Sequence, residues 1–202
     1  PDRFVLKCNH DSGSAMVIDD SNREDREKII RHFKKALSKN YFNKTREWPY
    51  INIEPRILCE EYLQDGSEIG LRDYKVFCFN GKAEFIRTNY MGKDMVLKSE
   101  FDLNWKIIKE TMNFHNDGTI VEQPENLDEM IRIAEKLSEG LIHLRVDFYE
   151  VYGKLYLGEL TLYHGSGLNW FRYITTEKRM GDLIDLSAVG KVQINPVEEE
   201  LV

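Results

Sequence analysis

The sequence predicts an α+β protein in which strand hairpins alternate with amphipathic helices, not a doubly wound parallel sheet. Three observations carry that expectation. The β-rich runs at 73–79 and 82–87 flank Asn80-Gly81, the dipeptide that most strongly specifies a two-residue hairpin. A second pair of β-rich runs, from 144 to 161, turns near Gly153. Between the strand pairs, apolar residues recur at helical spacing behind Ser or Asn caps. Strands joined locally by turns pair antiparallel, whereas a parallel sheet needs a crossover after every strand.

The elements follow in order. Residues 4–7 are a short apolar strand, 8–14 a small polar loop and 15–20 a returning strand. Ser21 with Glu24 forms a capping box, and Ile29, Ile30, Phe33 and Leu37 repeat at helical spacing, predicting a helix over 22–39. Residues 40–55 are aromatic and irregular, interrupted by Pro49 and Pro55, and 56–63 form a strand. In the hairpin at Asn80-Gly81, counting back from the turn places Lys75 on the face of Phe77 and Ile86, with Arg87 on the opposite face. Residues 95–101 read as another strand, and 104–126 mix helical and loop signals. Asn126 and Glu129 form a second capping box, opening a helix to about 140 with Met130, Ala134 and Leu137 on its apolar stripe. The long hairpin 144–167 follows, then a loop-and-helix segment to 186 and an acidic tail expected to fray.

Composition bounds the function. A chain of 202 residues is one large domain or two small lobes. With 42% hydrophobic and 31% charged residues it is globular, not disordered. The 28 basic and 35 acidic side chains leave a formal charge of -7, which argues against a nucleic-acid binder but not against a nucleotide held by a few local cations. No apolar run approaches the roughly 18 residues of a membrane span, and no signal peptide opens the chain. The odd set Cys8, Cys59 and Cys78 lies in apolar strand-like stretches and reads as free, buried thiols in a reducing compartment, hence a cytoplasmic location. The chain opens on Pro1 with a strand immediately after, which points to a preceding part that is missing.

Four constellations carry chemistry. Lys7 precedes the small polar loop Asp11-Ser12-Gly13-Ser14, where successive N–H groups can converge on a phosphate beside a point charge; an ordinary hairpin turn with a solvated lysine is the alternative. Glu60-Glu61-Tyr62-Leu63 ends a strand, where backbone groups can meet an adenine edge; a plain strand end with two exposed carboxylates is equally consistent. Asp147 and Glu159 sit among apolar strand residues, where charge needs a partner. A two-residue turn at Tyr152-Gly153 would put them on opposite faces, whereas an odd loop would put Arg145, Asp147, Tyr149, Glu159 and Thr161 on one. That surface suits a magnesium ion completed by phosphate oxygens, or a salt bridge from Arg145 to Glu159 with Asp147 exposed. Lys75, on a mostly apolar face, either snorkels to solvent or meets an anion. His10, His115 and His164 lack metal-ligand spacing and read as surface or satisfied loop histidines; no zinc cysteine pair and no nucleophile elbow are present.

The order of these pieces is more specific than any one of them. A lysine with a small loop, then E-E-Y-L, D-Y-K, V-D-F and G-E-L-T resembles the ATP-grasp fold, in which two α+β lobes with antiparallel sheets clamp a nucleotide. The stretches LKCNHDSGS, REWPYINIEPRILCEEYL, DYKVFCFNGK and RVDFYEVYGKLYLGELTLYHGSG resemble its TupA-like branch, named for teichuronopeptide biosynthesis. The resemblance implies a first lobe over 1–63, a second over 64–202, and an absent N-terminal region that helps bind the acceptor. It implies that Lys7 and the loop Asp11, Ser12, Gly13 and Ser14 contact the phosphates of ATP, and that Glu60, Glu61, Tyr62 and Leu63 receive adenine. Asp147 and Glu159 match the acidic Mg2+ ligands, and Thr161 stands where many ATP-grasp enzymes carry a third, asparagine ligand. Lys75 matches a basic position near the phosphates or acceptor, and His164, Ser166 and Arg172 follow the metal strand on the way to the acceptor; Lys75, Arg145 and Arg172 are the expected catalytic residues.

The implied activity is an ATP-dependent carboxylate–amine ligase, forming an amide through an acyl phosphate on a small-molecule or glycan carboxylate for cell-surface polysaccharide biosynthesis. A sugar phosphotransferase or a non-catalytic nucleotide-binding module would use the same scaffold. A glycosyltransferase would want an Asp-x-Asp metal motif that the chain lacks.

Overall fold

A computed structural model of the chain describes residues 2–22, 24–66, 70–91, 96–112 and 121–187. His115 and the acidic tail lie outside these residues. The chain divides into two compact units, one made of 1–71 and 163–169, the other of 72–162 and 170–202. Among the described residues all strand pairings are antiparallel, as hairpin-linked strands require.

In the first unit, β1 (Phe4–Cys8) lies between β2 (Met16–Ile18) and β3 (Ile57–Glu61). Helix α1 (Arg26–Leu37) buries Phe33. It starts later than the Ser21 capping box predicts. Asp19 takes both the N–H and the hydroxyl of Ser21, and Asp25 accepts from the Lys28 N–H as the actual cap. A short helix α2 (Phe42–Thr45) and a 3-10 turn (Trp48–Tyr50) order the aromatic stretch, with Tyr41 and Tyr50 edge-to-face. Trp48 Nε1 donates to the Tyr163 hydroxyl at 2.5 Å, and Ser166 donates to Glu47 Oε1 at 2.9 Å.

The second unit is built on a five-stranded sheet ordered β6-β5-β4-β7-β8. Its strands are β4 (Asp73–Phe79), β5 (Lys82–Met91), β6 (Val96–Phe101), β7 (His143–Val151) and β8 (Lys154–Thr161). Asn80 and Gly81 both take positive φ, 49° and 79°, as a type I′ hairpin requires. On one face, Val76, Ile86, Val146 and Phe148 pack under α3 (Leu127–Ser138), which contributes Met130 and Ala134. Asn126 caps this helix by position, but its amide donates to Glu150 and to the Gly153 carbonyl, and Glu129 pairs with Arg132; the capping box does not form. On the other face, Phe77, Phe79 and Phe85 pack with Met112 and with Met180 of α4 (Ile174–Asp182).

Two register shifts decide what the rest of that second face displays. Near the Asn-Gly turn Cys78 pairs with Ala83, but the next partners are Phe77 and Phe85, so one residue of β5 is extra. A one-residue slip moves every later side chain to the other face. Arg87 therefore joins Lys75, and Ile86 pairs with Val76 on the helix-covered face, the reverse of the simple count from the turn. In the second hairpin Tyr152 and Gly153 form a two-residue turn at φ 49° and 72°, not the odd loop that would align the carboxylates. A shift between Asp147 and Phe148 skips Gly158 and achieves that alignment instead, so Asp147 faces Glu159.

Gly158 is required by space. A Cβ there would sit 2.8 Å from Tyr149 Cε2 and 3.3 Å from the Asp147 carbonyl oxygen. Gly158→Val is therefore expected to destabilise the protein by about 1–3 kcal/mol through overpacking. Urea unfolding checks this, and an unchanged midpoint would mean that the bulge tolerates a side chain.

Candidate active site

The register shifts place one charged residue from each strand of the large sheet in a continuous row. Glu100 pairs with Arg87, Arg87 with Lys75, Lys75 with Asp147, and Asp147 with Glu159. Its first four members are nearly enclosed, with relative exposures of 0% for Glu100, 4% for Arg87, 9% for Lys75 and 2% for Asp147. Charges so buried are retained only when paired and hydrogen-bonded.

Asp147 is the hub. Arg145 Nε meets its Oδ1 at 2.6 Å, while Arg145 Nη2 and Lys75 Nζ meet its Oδ2 at 2.8 and 2.5 Å. Lys75 also holds Asp73 Oδ2 at 2.5 Å, and Arg145 reaches Glu159 Oε2 at 3.2 Å. At the far end, Arg87 donates to Glu100 Oε1 through Nε at 3.1 Å and Nη2 at 2.7 Å, with its guanidinium 5.2 Å from the Phe77 ring centroid. Asp147 is thus buried under two cations and not exposed, while the salt bridge from Arg145 to Glu159 is formed as well.

The electrostatics follow from this burial. Burial raises the Asp73 carboxyl above its ordinary value, and Lys75 only partly offsets that. Arg87 is lowered by burial against the opposing pull of Glu100. Burial also works to lower Arg145, but its hydrogen bonds and attraction to Asp147, with Glu159 and Asp73 beyond, outweigh it and raise the guanidinium. His143 is lowered by burial, so it favours the neutral ring, while one of its nitrogens meets the Cys78 carbonyl at 2.9 Å.

Several oxygens on this face are left over. Asp73 Oδ1, Asn89 Oδ1, Glu100 Oε2 and Thr161 Oγ1 are buried without a hydrogen-bond partner. Among the described residues no three His, Cys, Asp or Glu side chains form a metal cage. The oxygen set nonetheless fits Mg2+. Asp147 and Glu159 oppose each other on neighbouring strands, with the unpartnered Thr161 hydroxyl beside them. Magnesium takes hard oxygen ligands and commonly uses one or two carboxylates plus phosphate oxygens and water rather than an all-protein cage.

The first unit holds the other predicted residues. Lys7 and Glu60 project from neighbouring strands and form an ion pair at 2.7 Å. Ser14 accepts from the Cys8 N–H at 2.9 Å and donates to Asp11 Oδ1 at 2.5 Å, closing the loop on itself. Ser12 and Gly13 are exposed; Gly13 has φ 100°, and a Cβ built on it would meet nothing within 4 Å. Glu61 is exposed at the end of β3, and Tyr62 and Leu63 are half-buried, with the Arg3 guanidinium 4.1 Å from the Tyr62 centroid.

The structure gathers Lys75, Arg145, Asp147, Glu159 and Thr161 on one face, together with three residues that the sequence reading did not assign to the site: Asp73, Arg87 and Glu100. Arg172 is not among them. It is exposed before α4, its guanidinium 5.8 Å from the Tyr173 ring centroid. His164 and Ser166 lie in a tight turn counted with the first unit. The thiols also differ from expectation. Cys8 and Cys78 are buried and free, Cys78 pushed up to about 11 by burial, but Cys59 is exposed on β3.

A family model described as TupA-like ATPgrasp matches residues 1–185. Among curated proteins, none matches the chain. Among solved structures, D-alanine–D-alanine ligase from Bacillus anthracis, complexed with ATP, is 15% identical over 90% of this chain and 50% of its own, with a TM-score of 0.47. The Helicobacter pylori D-alanine–D-alanine ligase is 16% identical over 90% of this chain and 48% of its own, at 0.43. The ATP-grasp ligase PsnB with minimal precursor, Mg and ADP is 12% identical over 79% of this chain and 38% of its own, at 0.39. The chain spans about half the length of the first of these. No helix among the described residues is long and apolar enough to cross a membrane.

Proposed function

The chain belongs to the TupA-like ATP-grasp family, and from that membership we propose that it is the nucleotide-binding part of an ATP-dependent carboxylate–amine ligase. The reaction would join an amine to a carboxylate of a small molecule or glycan in cytoplasmic steps of cell-surface polysaccharide biosynthesis. One observation supports this reading most directly: Asp147 and Glu159 oppose each other beside Arg145 and Lys75, an arrangement of hard oxygens and cations suited to a polyphosphate.

In this reading the first lobe spans 1–63 and the second 64–202. Lys7 exchanges Glu60 for phosphate, the exposed backbone at Ser12 and Gly13 lies over the phosphates, and Glu60, Glu61, Tyr62 and Leu63 receive adenine. Asp147, Glu159 and the Thr161 hydroxyl would hold Mg2+, which when bound supplies charge neutralisation at the phosphate oxygens. Arg145 and Lys75 release part of their hold on Asp147 and orient the transferring phosphoryl group. Asp73 keeps Lys75 in place. An acceptor carboxylate attacks the γ-phosphorus, ADP leaves, and the amine then displaces phosphate from the acyl phosphate. The protein's contribution is positioning and charge stabilisation, with water kept from the mixed anhydride.

Glu159 is the clean test, because its side chain is about half exposed, unlike that of Asp147. Glu159→Gln is expected to lower magnesium-dependent ATP turnover by at least about a hundredfold, the scale for removing one charge-stabilising group, while the melting temperature barely moves. ADP release at the unaltered rate would refute the metal role. Lys7→Ala is expected to weaken ATP binding by about 1–3 kcal/mol, the scale of a charge-assisted contact. Calorimetric titration checks it, and equal affinity would remove Lys7 from the nucleotide site.

A further inference from the structure

We propose that His32, on α1, is a positioning residue for nucleotide binding: it fixes the loop at 8–14 as a preformed phosphate cradle rather than a flap that orders when ATP arrives. This rests on the reading of Asp11 to Ser14 as the phosphate loop.

Two imidazoles tie that loop to α1 in opposite directions. His32 Nε2, on the helix, lies 2.9 Å from the Ser14 carbonyl oxygen. His10 Nε2, in the loop, lies 3.3 Å from the Ala36 carbonyl oxygen. A carbonyl only accepts, so each ring donates through its Nε2. Ala36 stands in the last turn of α1, where carbonyl oxygens have acceptor capacity to spare. The half-buried His32 ring stands edge-on to Phe33, with centroids 4.9 Å apart, and Phe33 is the residue that α1 buries. The plane of the imidazole is therefore set by the helix and not by the loop that it holds.

Ser14 is where the restraints meet. It is only 4% exposed, and its hydroxyl accepts from the Cys8 N–H at 2.9 Å and donates to Asp11 Oδ1 at 2.5 Å. On the other flank, the Asn9 N–H donates to the Arg56 carbonyl at 3.1 Å, and the Arg56 N–H donates to Asn9 Oδ1 at 2.7 Å. Ser12 and Gly13 alone stay outside this framework. Both are exposed, and among the described residues their N–H groups have no acceptor. Exposed backbone donors on a braced loop are what an anion needs. Ordering a loop residue costs backbone entropy, and a loop that orders only around its ligand subtracts that cost from affinity. Here the cost falls on folding, because the loop is bonded to α1 and to the start of β3 before any ligand is present.

The test compares His32→Ala, which removes the donor, with His32→Gln, whose amide N–H can reach the same carbonyl. Hydrogen exchange at the Cys8 amide reads the loop, since that N–H is held by the Ser14 hydroxyl. Calorimetry reads ATP and adenosine binding. In His32→Ala the Cys8 amide is expected to exchange at least about tenfold faster, while amides within α1 keep their protection. ATP binding should weaken about three- to tenfold, the loss that accompanies one hydrogen bond. Any affinity for adenosine, which brings no phosphate to the loop, should be the same in both proteins. His32→Gln should restore slow exchange and the unaltered ATP affinity. The proposal is overturned if either Cys8 exchange or ATP affinity is unchanged in His32→Ala, if ATP and adenosine weaken together, or if His32→Gln behaves as His32→Ala does. An unaltered chain that binds no ATP would overturn the phosphate reading and this one with it, whereas failure at His32 alone leaves the unaltered affinity standing.

Discussion

Asp147→Ala is expected to destabilise the second unit by about 3–5 kcal/mol, the usual result of removing one partner from a buried ion network. Three short contacts from Lys75 and Arg145 converge on that carboxylate. Both cations have side chains only about a tenth exposed, and Asp73 and Glu159 are left to neutralise them from one side each. The alanine leaves a guanidinium and an ammonium facing each other with water largely excluded. Equilibrium urea unfolding measures the loss, and a change below about 1 kcal/mol would mean that solvent already screens the network. Lost ATP turnover in an Asp147 variant therefore reports on folding as well as chemistry. Only the half-exposed Glu159 separates the two.

Glu100→Ala is expected to cost a similar amount, about 3–5 kcal/mol, because it removes the carboxylate that the 4% exposed Arg87 meets through two N–H groups. The double replacement Arg87→Met with Glu100→Leu should recover nearly all of that loss or exceed the parent by about 1–4 kcal/mol, since apolar side chains of similar volume remove both desolvation penalties. Phe77 and Met112, which already touch Arg87, provide the apolar surroundings. If the double variant is as unstable as the single one, the guanidinium holds the face together through more than its pair with Glu100. A loss of ATP binding in a stable double variant would assign Arg87 a part in the nucleotide site.

Local signals in the sequence were reliable where one residue type dictates backbone shape. Asn80-Gly81 requires positive φ at both positions and produced the expected turn, and the strand at 73–79 followed. The pairing of Asp147 with Glu159 was also anticipated as one outcome, but through the wrong device. Tyr152-Gly153 is a two-residue turn, and the extra residue sits further along at Gly158. A bulge has no strong sequence signature of its own. Its need for glycine comes from Tyr149 and the Asp147 carbonyl, contacts that exist only after the strands pair. The same blindness put Arg87 on the wrong face and hid its register partner Glu100. Caps failed for a related reason: Ser21 and Asn126 both found nearer or stronger partners, Asp19 and Glu150, than the helix ends they precede. His10 reads as an ordinary loop histidine until α1 folds over it.

The row of charged side chains across the sheet has a thermodynamic corollary for any anion that comes to it. Lys75, Arg87 and Arg145 shed their hydration when the strands assembled, and their positions are set by backbone pairing, not by a visitor. An incoming triphosphate at Lys75 and Arg145 would replace carboxylate oxygens instead of bulk solvent. Such an exchange between like-charged oxygens needs little dielectric relaxation, so its heat and its salt sensitivity should both be small.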